Sequence, residues 1–511
     1  MIRKRFSVSA LFLPSVSLLA VLAVCVSSVQ AAERTALSLN GIWQIESQIK
    51  RIDGSSISTT EIDQTVKRLM KSAEVTGAAI AVLNDGKVVY TRAYGFRDKE
   101  KNLPLTTDSV MSGASLTKAA FAFLVLELVD DGKLDLDKPI QQYLAKPLPE
   151  YSRYADLAAD DRYKKITARM LLSHSAGFPN WRAFEDDRKL HIHFDPGLRY
   201  AYSGEGIDLL QLVVEVITNQ SVGELMQDRI FTPLGMTRTS MTWQSRFESD
   251  FANGYDEYGR LLGPQKRQNP DAAGSLLTTV SDYARLVAAI SNGKLFSAKS
   301  RAQLLSPQIR IHSKHQFPSL ANELSADNDL INLSYGLGWG LYTSPYGTAF
   351  FKEGHDDGWR NYVVCFEKPK SGIVILTNSG NGEGIFKYLL ETILKDTFTP
   401  IEWEGYTPYD KLPPRPALTK HARVSIDGKL LDRYAGRYGQ LPDLILTIRR
   451  AGDHLTIQEN DEPPQDLLPE SEANFYSTSS DDTLTFESKD GHVTRLVLHL
   501  GDRDLPINRL D

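Results

Sequence analysis

The stretch Met111–Gly132, MSGASLTKAAFAFLVLELVDDG, decides how the rest of the sequence is read. It opens with small and hydroxyl residues, runs apolar from Ala119 to Val129 with only Glu127 interrupting, and stops at Asp130-Asp131-Gly132. An apolar run with no polar stripe predicts a helix buried all round, with Gly132 suited to the left-handed position after the last turn. Ser115 and Lys118 stand at the mouth of that helix, three residues apart and so on one face. The first-turn N–H groups of a helix lack partners and its dipole favours negative charge there. The Ser115 amide is thereby placed to form half of an oxyanion hole while the hydroxyl attacks a carbonyl. Lys118, in apolar surroundings, has its charged form disfavoured and becomes a base for the serine proton. The plain alternative is a serine cap beside a solvent-facing lysine. Ser-x-x-Lys recurs at Ser47 with Lys50 and at Ser291 with Lys294, but only Ser115 opens a buried helix.

Outward from this helix, the N-terminal side offers a helix from Glu61 to about Lys71, then two β-prone runs, Ala78 to Leu83 and Val88 to Tyr94. Asn84-Asp85-Gly86 between them is a hairpin signal. Ile140 to Leu234 reads mainly as helices and loops, including Ile166–Ser173, Ile207–Thr218 and Val222–Phe231. Residues 274–292 suggest a helix capped by Thr279 or Ser281. Strand-like runs follow at Ser334–Tyr342, Phe350–Glu353, Asn361–Glu367 and Gly372–Asn378, and a last helix spans about Gly384 to Lys395. Strands at both ends with helices between give an α/β-type core carrying a helical subdomain. Pro400, Pro408, Pro413, Pro414 and Pro416 then mark a linker over 399–424. Residues 425–511 alternate short β-prone runs with turns (Leu444–Arg449, His454–Gln458, Thr483–Glu487 and Val493–Leu498), the rhythm of a small all-β barrel or sandwich.

At 511 residues the chain has room for two folded units. Arg3, Lys4 and Arg5 precede an apolar run from about Ala10 to Val26 and small residues at Val29-Gln30-Ala31, the pattern of a secretory signal peptide over 1–31. The mature chain is therefore expected to be exported, periplasmic or secreted, with no stable membrane anchor after cleavage. Pro14 and the short apolar length argue against a spanning helix, and bulky Val24 before Cys25 argues against a lipoprotein signal. Loss of residues 1–31 removes three cations and no anions, taking the formal charge from −6 to −9. A mildly acidic chain without a basic run is a poor partner for nucleic acid or anionic membrane. Cys365 then remains as a single thiol in the apolar run Tyr362–Phe366, a buried structural position. Residues 32–60 form an N-terminal extension in which Leu39–Trp43 reads as either a strand or a packing segment.

Two further motifs bear on Ser115: Asp195-Pro196-Gly197-Leu198-Arg199-Tyr200-Ala201-Tyr202-Ser203-Gly204-Glu205-Gly206, and Gly354-His355-Asp356-Asp357-Gly358-Trp359. With these, residues 61–398 resemble the penicillin-recognising serine hydrolases: class C β-lactamases, D-alanyl-D-alanine carboxypeptidases, related esterases and D-aminopeptidases. That family carries Ser-x-x-Lys, Tyr-x-Asn and a Lys/His-Thr-Gly strand in this order. Ile166–Gly177, Pro233-Leu234-Gly235-Met236 and Tyr335–Gly340 support the likeness. The resemblance implies a β-lactamase/transpeptidase-like domain, an antiparallel sheet flanked by helices with a helical subdomain. It implies Ser115 as nucleophile, Lys118 as its partner, Tyr202 as the proton-exchanging tyrosine and His355 as the strand cation. The oxyanion hole is then formed by the Ser115 and Gly358 amides. No metal or organic cofactor is implied, and the partner is a small-molecule or peptide substrate.

Two departures stand out. Gly204 replaces the Asn of the tyrosine motif, losing an amide for a substrate carbonyl, and Asp356-Asp357 replaces Thr-Gly. On an extended strand Asp357 points the same way as His355, which adds negative charge and suits a substrate with an amine, or a small ester, better than a β-lactam. The expected activity is acyl-enzyme hydrolysis of an amide or ester: a D-amino-acid peptide, a cell-wall fragment or a small ester. The alternative is a catalytically silent penicillin-binding-like sensor or binding protein. His191-x-His193-x-Asp195 begins like a zinc-hydrolase motif, but Pro196 stands where another histidine is needed. There is no Gly-x-Ser-x-Gly elbow and no glycine-rich phosphate loop. The C-terminal unit, with Leu431–Tyr438 at its start, resembles the lipocalin-like barrel attached to some members of the family.

Overall fold

The computed structural model describes residues 47–415, 419–440, 444–460, 464–478, 480, 482–500 and 503–510. The signal peptide expected over 1–31 and the Leu39–Trp43 segment lie outside these residues. Helix α1 (Thr59–Ala73) starts on a reciprocal cap in which the Ser58 side chain accepts from the Glu61 amide and Glu61 accepts from Ser58. Strands β1 (Gly77–Asn84) and β2 (Lys87–Asp98) form the hairpin expected around Asn84-Asp85-Gly86. Helix α2 (Leu116–Asp130) is the apolar run of the opening stretch, and Gly132 takes φ +70° just beyond it. Helices α3 (Gly204–Thr218) and α4 (Val280–Asn292) follow, the second capped by Thr279. Strands β3 (Gly340–Ser344), β4 (Gly347–Asp356), β5 (Trp359–Phe366) and β6 (Ser371–Thr377) complete the sheet.

The sheet has nine antiparallel strands in the order Ile309–Arg310, Ser334–Tyr335, β3, β4, β5, β6, β1, β2, Leu103–Pro104. Segments nearly 300 residues apart meet at its centre, where β6 pairs with β1. Central strands are covered on both faces, so they read as continuous apolar runs, and alternate residues serve two different cores. From β1, Ala79, Ala81 and Leu83 face α2, α4 and the helical subdomain, whereas Ala78, Ile80 and Val82 face α1 and the last helical segment, 382–394. Cys365 on β5 belongs to the first core and is fully buried, which pushes its thiol up to about 12.

Helix α2 runs through that first core. Twelve of its fifteen residues are buried, and each buried Leu or Phe contributes roughly 1.5–3 kcal/mol. A helix so enclosed is a rigid mount for whatever stands at its end.

The C-terminal unit is an eight-stranded antiparallel barrel over Gly436–Asn508. A bridge between Tyr438 and Arg509 draws the first and last strands together. Its own small core is built on Leu431, Tyr434, Phe475 and Phe486. The expected linker, 399–424, begins too early. Ile401, Trp403 and Tyr406 are buried in the second core of the larger unit, and the Trp403 indole donates to the Ser313 carbonyl at 3.1 Å. Proline-rich composition announced a linker, but the aromatic residues between the prolines make this segment part of the packed wall.

Candidate active site

The chain turns sharply before α2. Ala114 is held at φ +47°, a region disfavoured for any residue with a Cβ. The turn is pinned from several sides: the Gly113 amide donates to the Leu276 carbonyl at 2.6 Å, and the Thr117 hydroxyl donates to the Ala114 carbonyl at 2.5 Å. Ser115 occupies the capping position, yet its side chain makes no capping bond. Its hydroxyl instead accepts a hydrogen bond from Lys118 Nζ at 3.0 Å. Lys118 is 1% exposed and also donates to the Ala273 carbonyl at 2.5 Å. The reading of a capping serine with a solvated lysine is thus excluded. Burial, then the charge of Lys352, draws the Lys118 ammonium down to about 7.

Tyr202, just before α3, completes the group. Its ring lies 5.2 Å from Lys118 Nζ, and the nearby Ser115 hydroxyl favours its ionised form. Burial and the Glu353 charge outweigh that contact and hold the phenol well above its ordinary range. Tyr202 is therefore a neutral phenol, suited to passing a proton on rather than resting as a phenolate. The His174 ring lies tilted beside it, centroids 4.4 Å apart, and takes the Ser203 amide on Nδ1 at 3.2 Å, kept neutral by burial and by the two nearby lysines.

The cation that reaches Tyr202 is not His355. Lys352 Nζ donates to the Tyr202 hydroxyl at 3.1 Å. His355 stands at the cavity mouth with its side chain 53% exposed, Nδ1 3.7 Å from Glu383; none of its bonds reaches Ser115, Lys118 or Tyr202. The physical reason is strand register. A Cβ on Gly354 would lie 2.6 Å from the Gly113 carbonyl and 3.2 Å from Leu116 Cγ, so Gly354 is where β4 passes the end of α2. Lys352-Glu353-Gly354, not His355-Asp356-Asp357, is the segment against the helix. The sequence held the signal: a strand motif ending in glycine fits Lys352-x-Gly354.

The same register moves the second amide. Gly358 lies in the turn after β4 at φ +76°, packed on the backbone of Gly254 and Tyr255, not on α2. Beyond Phe351 that edge of β4 pairs with no described strand, and the amide next to Gly354 is that of His355. Asp357 is exposed in the turn and does not line the cavity, whereas Asp356 does. Asp356 accepts from the Ser112 hydroxyl and from Arg267, each at 3.2 Å. At Gly204 the missing side chain is explained by Trp181: a Cβ there would come within 2.3 Å of the indole. The Gly204 amide is held by the Asn180 side chain at 3.0 Å.

Ser115, Lys118, Tyr202, Glu353, His355 and Asp356 line a cavity of about 840 Å³ that also takes in Trp181, Phe317, Glu404 and, from the barrel, Glu459 and Asn460, while Lys352 is fully buried. Glu404 comes from the segment read as linker. Among the described residues no group of three or more His, Cys, Asp or Glu is arranged to hold a metal ion. His191 and His193 each pair instead with a carboxylate, Asp187 and Glu185, at 2.9 Å.

The order of these groups along the chain, a helix-mounted Ser-x-x-Lys, a tyrosine loop and a lysine strand, agrees with a direct comparison. Residues 62–396 match the profile of the Beta-lactamase family. The chain belongs to that family. Residues 420–509 match a second family, described as a domain of unknown function (DUF3471). Protein flp of Staphylococcus aureus (strain N315) is 24% identical over 342 residues, 63% of each chain, so this chain spans less than two thirds of that relative. Penicillin-binding protein 4* of Bacillus subtilis (strain 168) is 21% identical over 451 residues, covering 81% of this chain and 90% of its own. In fold, the octameric penicillin-binding protein homologue from Pyrococcus abyssi superposes with a TM-score of 0.54 at 22% identity, over 88% of this chain and 100% of that one.

Proposed function

We propose that the protein is an exported serine hydrolase working through an acyl-enzyme. The observation that carries this reading is the 3.0 Å bond from Lys118 to an uncapped Ser115 hydroxyl at the end of a buried helix. Lys118 donates to two neutral acceptors, a hydroxyl and a backbone carbonyl, so its neutral form is within reach near neutral pH. In that form it takes the Ser115 proton as the oxygen attacks a carbonyl carbon. The amides of Ser115 and His355 are the donors offered to the tetrahedral oxyanion. Tyr202, held by Lys352, passes a proton to the leaving group. Water or an amine then resolves the ester on Ser115.

The substrate class is an amide or ester, with D-amino-acid peptides, cell-wall fragments and small esters ahead of β-lactams. The occurrence of penicillin-binding proteins among the relatives supports cell-wall chemistry as the setting. Gly204, crowded by Trp181, is the feature that favours the second reading, a silent binding or sensor protein. A fluorophosphonate probe separates the two. The enzyme predicts covalent labelling that disappears in Ser115→Ala, and a folded wild-type protein that stays unlabelled supports the binder. Parallel assays on D-aminoacyl amides, D-Ala-D-Ala peptides, p-nitrophenyl esters and nitrocefin then identify the leaving group, and rapid nitrocefin hydrolysis would contradict the placing of β-lactams last.

A further inference from the structure

Lys352 has three N–H donors, and the protein uses them all. One goes to the Tyr202 hydroxyl at 3.1 Å, one to the Glu353 carbonyl at 3.2 Å and one to Glu353 Oε1 at 2.5 Å. Lys352 and the Glu353 side chain are both essentially buried, and Gln316 Nε2 donates to the same carboxylate oxygen at 3.2 Å. Behind Glu353 lies a second buried carboxyl, Glu404, which accepts from the Tyr362 hydroxyl at 2.5 Å through Oε2 and has no hydrogen-bond partner on Oε1. Burial and the charge of Glu353 favour the neutral form of Glu404.

The other basic groups near the nucleophile are engaged or neutral. Lys118 bonds to Ser115 and Ala273, Arg267 bonds to Asp356 and the Gly274 carbonyl, and burial with the Arg360 charge draws the His355 imidazole down to about 3. Six carboxyl groups, Asp271, Glu353, Asp356, Glu383, Glu404 and Glu459, line the same cavity.

Building on the acyl-transfer reading above, we propose that Glu353 is a specificity-determining residue. By consuming Lys352 it turns the site away from acyl donors with a carboxylate beside the scissile bond, and toward neutral or amine-bearing amides and esters. A substrate anion near Ser115 meets no uncommitted donor on Lys352 and faces the Glu353 carboxylate instead. D-Aminoacyl amides fit this description; penicillins and peptides with a free terminal carboxylate at the scissile residue do not.

The test compares acylation of full-length protein by a fluorescent penicillin, which is anionic, and by p-nitrophenyl acetate, which is neutral. Glu353→Gln is expected to raise the rate with the penicillin relative to the acetate by about tenfold or more, as removing one nearby like charge at low dielectric implies. An unchanged ratio in a folded variant overturns the proposal while leaving the acyl-transfer reading intact. Should Glu353→Gln fail to fold, the wild type is compared on acetylthiocholine, p-nitrophenyl acetate and p-nitrophenyl hydrogen succinate, each rate divided by its hydroxide-catalysed rate. The anionic ester is expected to be slowest by about tenfold or more at low salt, and equal normalised rates overturn the proposal. Failure of the wild type to react with any of these compounds, or with a fluorophosphonate, overturns the acyl-transfer reading and this inference together.

Discussion

Two buried lysines approach the Tyr202 ring, Lys118 at 5.2 Å and Lys352 at 4.8 Å, and the protein treats them in opposite ways. Lys118, on the α2 wall, bonds to a hydroxyl and a backbone carbonyl, and burial draws its ammonium down to about 7. Lys352, on the β4 wall, is equally enclosed but has a carboxylate at 2.5 Å. Burial works against its charge and Glu353 works for it. The difference teaches that burial alone does not make a base. What matters is whether the buried amine is given an anion. One wall keeps a lysine that gives up its proton readily, and the other keeps a lysine paired to a carboxylate that holds the phenol in place.

The sharpest way to break this comparison is to exchange the roles. Lys118→Ala should lower acylation of Ser115 by about 10²–10⁴-fold, the usual contribution of a positioned acid–base group, read as the second-order rate of fluorophosphonate labelling. A loss smaller than that returned by Lys352→Ala contradicts the assignment of the base. Next in size is a stability effect. Lys352→Met leaves Glu353 buried without its cation and should cost about 3–5 kcal/mol in denaturant unfolding.

Lys118→Met should act with the opposite sign. The folded pKa of Lys118 lies below its ordinary 10.5, so between about 7 and 10.5 the unfolded chain binds the extra proton. Stability from this group therefore rises with pH across that window and is lowest below about 7. Removing the amine relieves that cost, offset by the Ala273 carbonyl losing its donor. The net result is expected to be a rise in thermal midpoint of about 2–4 °C at neutral pH, and a fall of several degrees would show that Lys118 is not destabilised by burial. Smallest of all, Gly204→Ala pushes a methyl into the Trp181 ring. It should cost about 1–3 kcal/mol, measured by equilibrium unfolding, and a neutral effect would mean that Trp181 yields.

The α2 wall was legible from the sequence because one unbroken apolar run gives the helix, its burial and the residues at its mouth together. The β4 wall was not. Lys352 and Glu353 adjoin in a strand, and adjacent charged residues ordinarily face solvent. Only the pairing of β4 with β5 and its approach to Gly113 bury them both. His355 drew attention instead because it stands in a conspicuous polar turn. Glu404 was hidden in the same way, between prolines that resemble a linker, although Trp403 and Tyr406 carry the packing that fixes it. In the barrel, the strands Leu444–Ala451, His454–Glu459, Thr483–Lys489 and His492–Leu500 were visible in sequence as the β-prone runs Leu444–Arg449, His454–Gln458, Thr483–Glu487 and Val493–Leu498. Gln465–Pro469 and Asn474–Ser477 were not, being short strands in polar, turn-rich sequence.

The proposed chemistry depends above all on Lys118 acting as a neutral base toward Ser115. The most direct measurement is the rate of fluorophosphonate labelling from about pH 5 to about pH 9, with the modified residue located by mass spectrometry. The rate is expected to climb with pH and level off above about 7, where Lys118 has lost its proton, with the label on Ser115. A rate that stays flat across that range, or a label on any other residue, would contradict it.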